Sequence, residues 1–186
     1  ISFQYRHNAG QETRIDPSVS NIVDIYMLER TYDNLFRIWL QDGGTKPGAS
    51  TSDQLRISYS GKLNPLKSLS DQIVYHPVKY KILFGSNADE ELQATFKVVK
   101  NTKTNVTDAV IKTRVIAAIN EFFALDNWDF GDAFYFTELA AYVHNQLAPD
   151  LLTAVIVPNQ AGQTFGSLFQ INSAADEIFI SGATVD

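Results

Sequence analysis

Two hydrophobic periods share this chain, and the way they are ordered limits its fold more than any other feature. From Val78 to Phe84 the apolar Val78, Tyr80, Ile82 and Phe84 alternate with Lys79, Lys81 and Leu83; Leu92, Ala94, Phe96 and Val98 alternate with Gln93, Thr95 and Lys97. Period two is the mark of a strand with one core face. From Thr107 onward the period changes. Ile111, Val115, Ile119 and Phe122/Phe123 fall on one helical stripe, and Leu139, Tyr142/Val143 and Leu147 on another that Pro149 ends. Tyr32, Leu35, Phe36, Trp39 and Leu40 repeat the helical spacing earlier in the chain, with Thr31 as cap and Gly43-Gly44 as stop. A chain that switches period this often must pack helices on sheet.

The remaining elements follow from run length and turn chemistry. The mostly apolar run Ile22–Leu28 is strand-length, and the uncharged Leu151–Val157 reads as a strand buried on both faces. Asp42–Ser52 (DGGTKPGASTS) is a polar, turn-rich loop, and a short helix starts at Ser52/Asp53 and stops near Gly61. The strands ending at Phe84 and starting at Leu92 are joined by Gly-Ser-Asn-Ala-Asp-Glu-Glu, which predicts a hairpin. Leu168–Ile171 and Ile178–Ser181 predict a second one. The order is therefore β-α-α-β-β-α-α-β-β-β. The class is α+β, with a ferredoxin-like β-α-β-β-α-β core, extra helices and a C-terminal β-hairpin extension. The expected divisions are an irregular segment over 1–19, one core domain over 20–158 and the hairpin extension over 159–186.

Chemistry is excluded more readily than found. With no cysteine there is no disulfide, thiol nucleophile or thiolate metal site. His7, His76 and His144 are scattered, and none has a ligand neighbour at metal-binding spacing. Asp126, Asp129 and Asp132 suggest calcium, but Trp128 stands at the third loop position and Thr137 at the twelfth. Asp129-Phe130-Gly131 spells a kinase metal motif with none of its companions, and Gly43–Gly48 lacks the Gly-Lys-Ser/Thr of a phosphate loop. No Gly-x-Ser-x-Gly elbow occurs. Neither a cofactor nor a metal is expected, and no catalytic residue.

Charge narrows the partners. Residues 1–100 carry 12 Lys/Arg against 11 Asp/Glu, whereas residues 101–186 carry 3 against 10. After Arg114 there is no basic residue at all. That half offers no footprint to a phosphate backbone or an anionic lipid, so neither nucleic acid nor membrane is an expected partner. It suits solubility, or docking against a basic protein.

One positive feature remains. Trp128, Phe130, Phe134, Tyr135 and Phe136 crowd five aromatics into nine residues. Trp128, Phe130, Phe134 and Tyr135 are the candidate protein-interface residues, since rigid rings concentrate binding energy under a partner. Core filling is the other use of such a cluster.

The stretch INEFFALDNWDFGDAFYFTELAAYVHNQLAPDLLTAVIVP, residues 119–158, resembles the large wedge protein of T-even-like contractile-tailed phage baseplates, a relative of the baseplate J-like family. The likeness is strongest in Phe122-Phe123…Leu125-Asp126-Asn127-Trp128-Asp129-Phe130-Gly131-Asp132. Weaker echoes are the Val23–Tyr26 strand, His76-Pro77 and Asp176–Thr184. The resemblance implies a fragment of a structural virion protein, not an enzyme. Such a protein forms homodimers, meets other baseplate wedge proteins, rings the tail tube and helps relay sheath contraction, in a virion tail baseplate assembled in the host cytoplasm. No small-molecule substrate is implied. A different reading is a carbohydrate-binding or hydrolysing domain of a tail or cell-surface protein, with Trp128, Tyr135 and nearby acids on a sugar.

Overall fold

The computed structural model describes residues 22–63, 72–159 and 170–185; the segment read as irregular, 1–19, lies outside them. The class is mixed α and β, as the periods require, but the strands pair otherwise than expected. The chain divides into two compact units, one of residues 1–27 and 50–77, the other of 28–49 and 78–186. The single core expected over 20–158 is thus shared between two units.

In the first unit β1 (Ile22–Met27) and β2 (Gln72–Pro77) run parallel, from Ile22 opposite Gln72 to Met27 opposite Pro77. The sequence reading missed β2, whose Gln, His and Pro hide its alternation. The helix α1 (Arg30–Asp42) belongs to the second unit, and α2 (Ser52–Leu63) to the first. Helix α2 starts where Thr51 and Gln54 cap each other: the Gln54 N–H donates to Thr51 Oγ1 at 3.3 Å, and the Thr51 N–H to Gln54 Oε1 at 2.8 Å. This reciprocal box satisfies two orphan donors of the first turn. Leu55 and Leu63 of α2 then pack on Ile73 and Tyr75.

The second unit holds β3 (Lys79–Leu83), β4 (Ala94–Lys100), α3 (Asp108–Phe122), β5 (Ala133–Tyr135), α4 (Phe136–Leu147), β6 (Leu151–Pro158), β7 (Gln170–Asn172) and β8 (Glu177–Ser181). Neither predicted hairpin forms. Strand β3 pairs parallel with β8, β4 antiparallel with β6, and β5 antiparallel with β7. Among the described residues these are separate two-stranded ladders, not the sheet of a ferredoxin-like core, and the last two strands are no extension.

The reason lies at the end of β3. Phe84 takes φ 65° and Gly85 φ 69°, which turns the chain out of the strand before it can fold back. The Gly182 N–H donates to Leu83 O at 2.8 Å, so β8 takes one edge of β3, while on the other edge the expected hairpin is reduced to the Phe84 N–H donating to Leu92 O at 3.0 Å. A Cβ on Gly85 would lie 1.9 Å from the Gly182 carbonyl oxygen. Only glycine permits this approach. The turn drives the Phe84 ring inward, where it meets Phe96, Phe123, Phe134 and Phe136 edge-on. Helices α3 and α4 cover this core with Ile111, Val115, Ile119, Leu139 and Val143. Thr107 caps α3 as its position suggested, its hydroxyl accepting from the Val110 N–H at 3.4 Å. Helix α1 begins at Arg30 after Glu29, not at Thr31, and lays Phe36 and Leu40 on Ile180.

Strand β6 is not buried on both faces. Among the described residues no element covers the outer side of the β4–β6 ribbon, where Val99, Leu152 and Val155 are each about half exposed. No helix of the described residues is long and apolar enough to cross a membrane.

Candidate interaction surface

The aromatic segment 128–136 turns inward. Its loop is tied down first: the Gly131 N–H donates to Glu177 O at 3.2 Å, and Asp132 O accepts from the Ser173 N–H at 3.0 Å and the Ser173 hydroxyl at 2.9 Å. The next residues form β5, with Phe134 opposite Ile171 and Tyr135 opposite Gln170. Strand alternation then sorts the rings. Phe134 is completely buried, Phe136 enters the core at the start of α4, and Tyr135 points out, 38% exposed. Phe130 is half-buried.

Trp128 is a wall of the core. Its indole N–H donates to Phe122 O at 2.8 Å, its ring stacks on Phe123 with centroids 5.4 Å apart at 15°, and Phe179 meets it edge-on at 5.2 Å. Of the four proposed interface residues, Phe134 is therefore removed from the surface and Trp128 is spent on packing. Of the four, only Tyr135 is exposed, and Phe130 is half-buried. Trp128, Phe134 and Phe136 are core filling.

The acids of the same region are also engaged. Asp126 receives Arg30 of α1 at 3.2 Å, and the Asp129 N–H donates to Asp132 Oδ2 at 2.7 Å. Among the described residues no three His, Asp or Glu side chains gather as a metal site. His76 pairs with Asp24 across β1 and β2, Nε2 to Oδ1 at 2.9 Å, and stacks on Tyr26. His144 sits on α4, half-buried; His7 lies outside the described residues.

Apolar surface that stays accessible lies elsewhere. One patch is the outer face of the β4–β6 ribbon, where Val99 stands opposite Thr153 and Lys97 opposite Val155, with Leu152 beside them. The other is the outer stripe of α1, where Leu35 and Ile38 are 51% and 55% exposed. A signal for the second was present: Tyr32, Leu35, Phe36, Ile38, Trp39 and Leu40 are too many apolar residues for a single buried stripe.

Beneath α1 lies a polar constellation that the sequence did not single out. Asp33 is buried, accepts the Tyr80 hydroxyl of β3, and takes the Arg37 Nε–H at 3.0 and 3.1 Å. Burial, then the hydrogen bond and charge of Asp33, push the Tyr80 phenol far above its ordinary value. The three groups hold α1 against β3 and fix the Arg37 guanidinium.

No family model matches the chain, and no curated protein is significantly similar to it.

Proposed function

We propose that this chain is a structural module of a contractile-tail baseplate wedge, a virion component that joins a second copy and neighbouring wedge proteins around the tail tube. Its role in that assembly is to carry load and pass on the sheath-contraction signal, without catalysis. One observation carries the reading: two of the stretches in which the resemblance lies, 119–158 and 176–184, pack on each other in the second unit. Trp128 of the first packs on Phe179 of the second, and Gly131 is hydrogen-bonded to Glu177. The weaker echoes at Val23–Tyr26 and His76-Pro77 lie in the other unit.

The half-exposed apolar face of the β4–β6 ribbon supports the same reading, because such surface is characteristically covered in assemblies. The geometry gives less to the sugar reading. Of its two rings, Trp128 has its face on Phe123 and its N–H held by Phe122 O, which leaves Tyr135 alone exposed.

The experiment is to label tail particles of the phage encoding this chain with antibody fragments raised against it, and to image them. Label confined to the baseplate is expected. Label on the capsid, on the fibre tips alone, or only on non-particulate protein would overturn the reading.

A further inference from the structure

The β4–β6 ribbon has a free edge, and its hydrogen bonds locate it. The Asn159 N–H donates to Gln93 O at 3.1 Å, one step beyond the facing pair Ala94 and Pro158. Antiparallel pairs alternate between bonded and non-bonded, so Thr153, Val155 and Val157 spend their N–H and C=O groups on Val99, Lys97 and Thr95. Beyond the bulge at Leu152, the Asn101 N–H donates to Asp150 O at 2.8 Å and keeps the same phase along β4. Ala154 and Ile156 therefore point their N–H and C=O groups away from β4, and among the described residues no hydrogen bond takes them up. Their side chains pack on the core, so what this edge offers is backbone. Unpaired strand backbone is a template for another strand.

The chemistry of the edge says which strand. An edge strand is ordinarily guarded by charged side chains, but β6 carries none from Leu151 to Pro158. The second unit holds 16 Asp/Glu against 10 Lys/Arg, so two copies repel at long range, and an uncharged strand is where they can meet. Strand β4 carries Lys97 and Lys100, which a two-fold contact along it would set against their own kind.

The free groups also choose the register. With a two-fold axis at Val155, Ala154 of one copy lies opposite Ile156 of the other, and each such pair exchanges its N–H···O bonds. Pro158, which has no N–H, then falls opposite the bulged Leu152, outside the bonded window. An axis at Ile156 would set Ala154 opposite Pro158, and an axis at Ala154 would set Ile156 opposite the bulge; either loses bonds. Val155, 51% exposed on the outer face, meets its counterpart at the axis.

We propose that β6 pairs antiparallel with β6 of a second copy about a two-fold axis at Val155, continuing the two-stranded ribbon into a four-stranded sheet. The contact deepens the assembly role proposed above and rests on it only for the second copy as partner. The two fail separately: particle labelling tests where the chain resides, and solution association tests this edge.

Sedimentation equilibrium of the full chain from about 10 µM to about 1 mM is expected to show a monomer–dimer equilibrium. Val155→Lys and Val155→Glu, at a position half exposed to solvent, should keep the circular dichroism of the parent and each weaken association about tenfold or more. An equal mixture of the two variants should return to within about threefold of the parent, because opposite charges then meet at the axis. The chain has no cysteine, so Val155→Cys introduces a single thiol. Facing non-bonded residues have Cα atoms about 4.5 Å apart, within disulfide reach, and mild oxidation should give a covalent dimer. Val99→Cys, as exposed but on β4, would lie three strand spacings from its counterpart, about 14 Å, and should not cross-link. A monomer at about 1 mM, association untouched by Val155→Lys, no recovery in the mixture, or cross-linking through Val99→Cys as readily as through Val155→Cys would each overturn the proposal.

Discussion

Replacing Trp128 separates a core residue from an interface anchor. Truncating a buried tryptophan to alanine costs about 3–5 kcal/mol, and the partial exposure of this ring places it at the low end, about 3. Part of that is the stack on Phe123 and the edge contact with Phe179, about 0.5–1.5 kcal/mol beyond the area buried. The hydrogen bond to Phe122 O is a separate share, about 1 kcal/mol, with more if that carbonyl then finds no water. Trp128→Phe isolates it, since a phenyl ring can keep the stack but not the donor, and should cost about 1–2 kcal/mol. For a domain of this size about 3 kcal/mol corresponds to a fall of roughly 6–12 °C in Tm. Urea unfolding followed by circular dichroism measures both variants without relying on the tryptophan being removed. Light scattering on the same samples reads association. If Trp128→Ala leaves the midpoint within about 1 kcal/mol of the parent and dissociates an oligomer, the ring belongs to an interface and the packing argument fails.

Three further outcomes follow from other parts of the structure. Gly85→Ala should cost more than about 4 kcal/mol, because its Cβ would meet the Gly182 carbonyl at 1.9 Å in a left-handed conformation, whereas Gly48→Ala, with open space around it, should stay within about 0.5; urea midpoints decide. The Tyr80 phenol is held neutral in the fold while the unfolded chain ionises near pH 10, so its contribution is complete below that pH and is lost as pH rises above it. The slope is at most about 1.4 kcal/mol per pH unit, reduced by the phenol's partial exposure, and Tyr80→Phe should flatten it in unfolding curves taken at stepped pH. Leu152→Lys with Val155→Lys should leave stability within about 0.5 kcal/mol yet weaken any self-association, and that association should resist added salt; light scattering with unchanged oligomers would clear the ribbon face of this role.

Helices were readable in the sequence because their signal is local. Thr107, the 111–123 stripe and Pro149 fix α3 and the end of α4 within a residue or two, and the period-two runs locate β3 and β4. Pairing was not readable, because a strand's partner is set by contacts between residues far apart in the sequence. At β3 that choice rests on Phe84 and Gly85 at positive φ and on Gly182, a hundred residues away in sequence, whose lack of a side chain matters only once both backbones are in place. Phe134, one of the interface candidates, is buried for a related reason. In Ala133–Tyr135 the inward and outward rings differ by one position, and three residues are too few to show an alternation. The Asp33–Tyr80–Arg37 set spans two elements and left no motif to find.

The same geometry bears on the acidic second half of the chain. Read linearly, ten acids against three bases invite a basic partner. In the fold many of those acids meet bases supplied from elsewhere in the same unit: Asp108 pairs with Lys100, Asp126 with Arg30, Asp150 with Arg114, Asp176 with Lys79 and Glu177 with Lys81. Most of these bases precede residue 101, but the second unit as a whole still holds 16 Asp/Glu against 10 Lys/Arg, so the net charge of −6 stays on it. Exposed pairs of this kind add little stability, about 0–1 kcal/mol each. The pairs leave the net charge of the unit unchanged, so a basic neighbour is still attracted at long range, while the accessible apolar ribbon face offers contact energy of its own. An assembly role for this chain therefore draws on apolar burial at the ribbon face and on the net negative charge of the second unit.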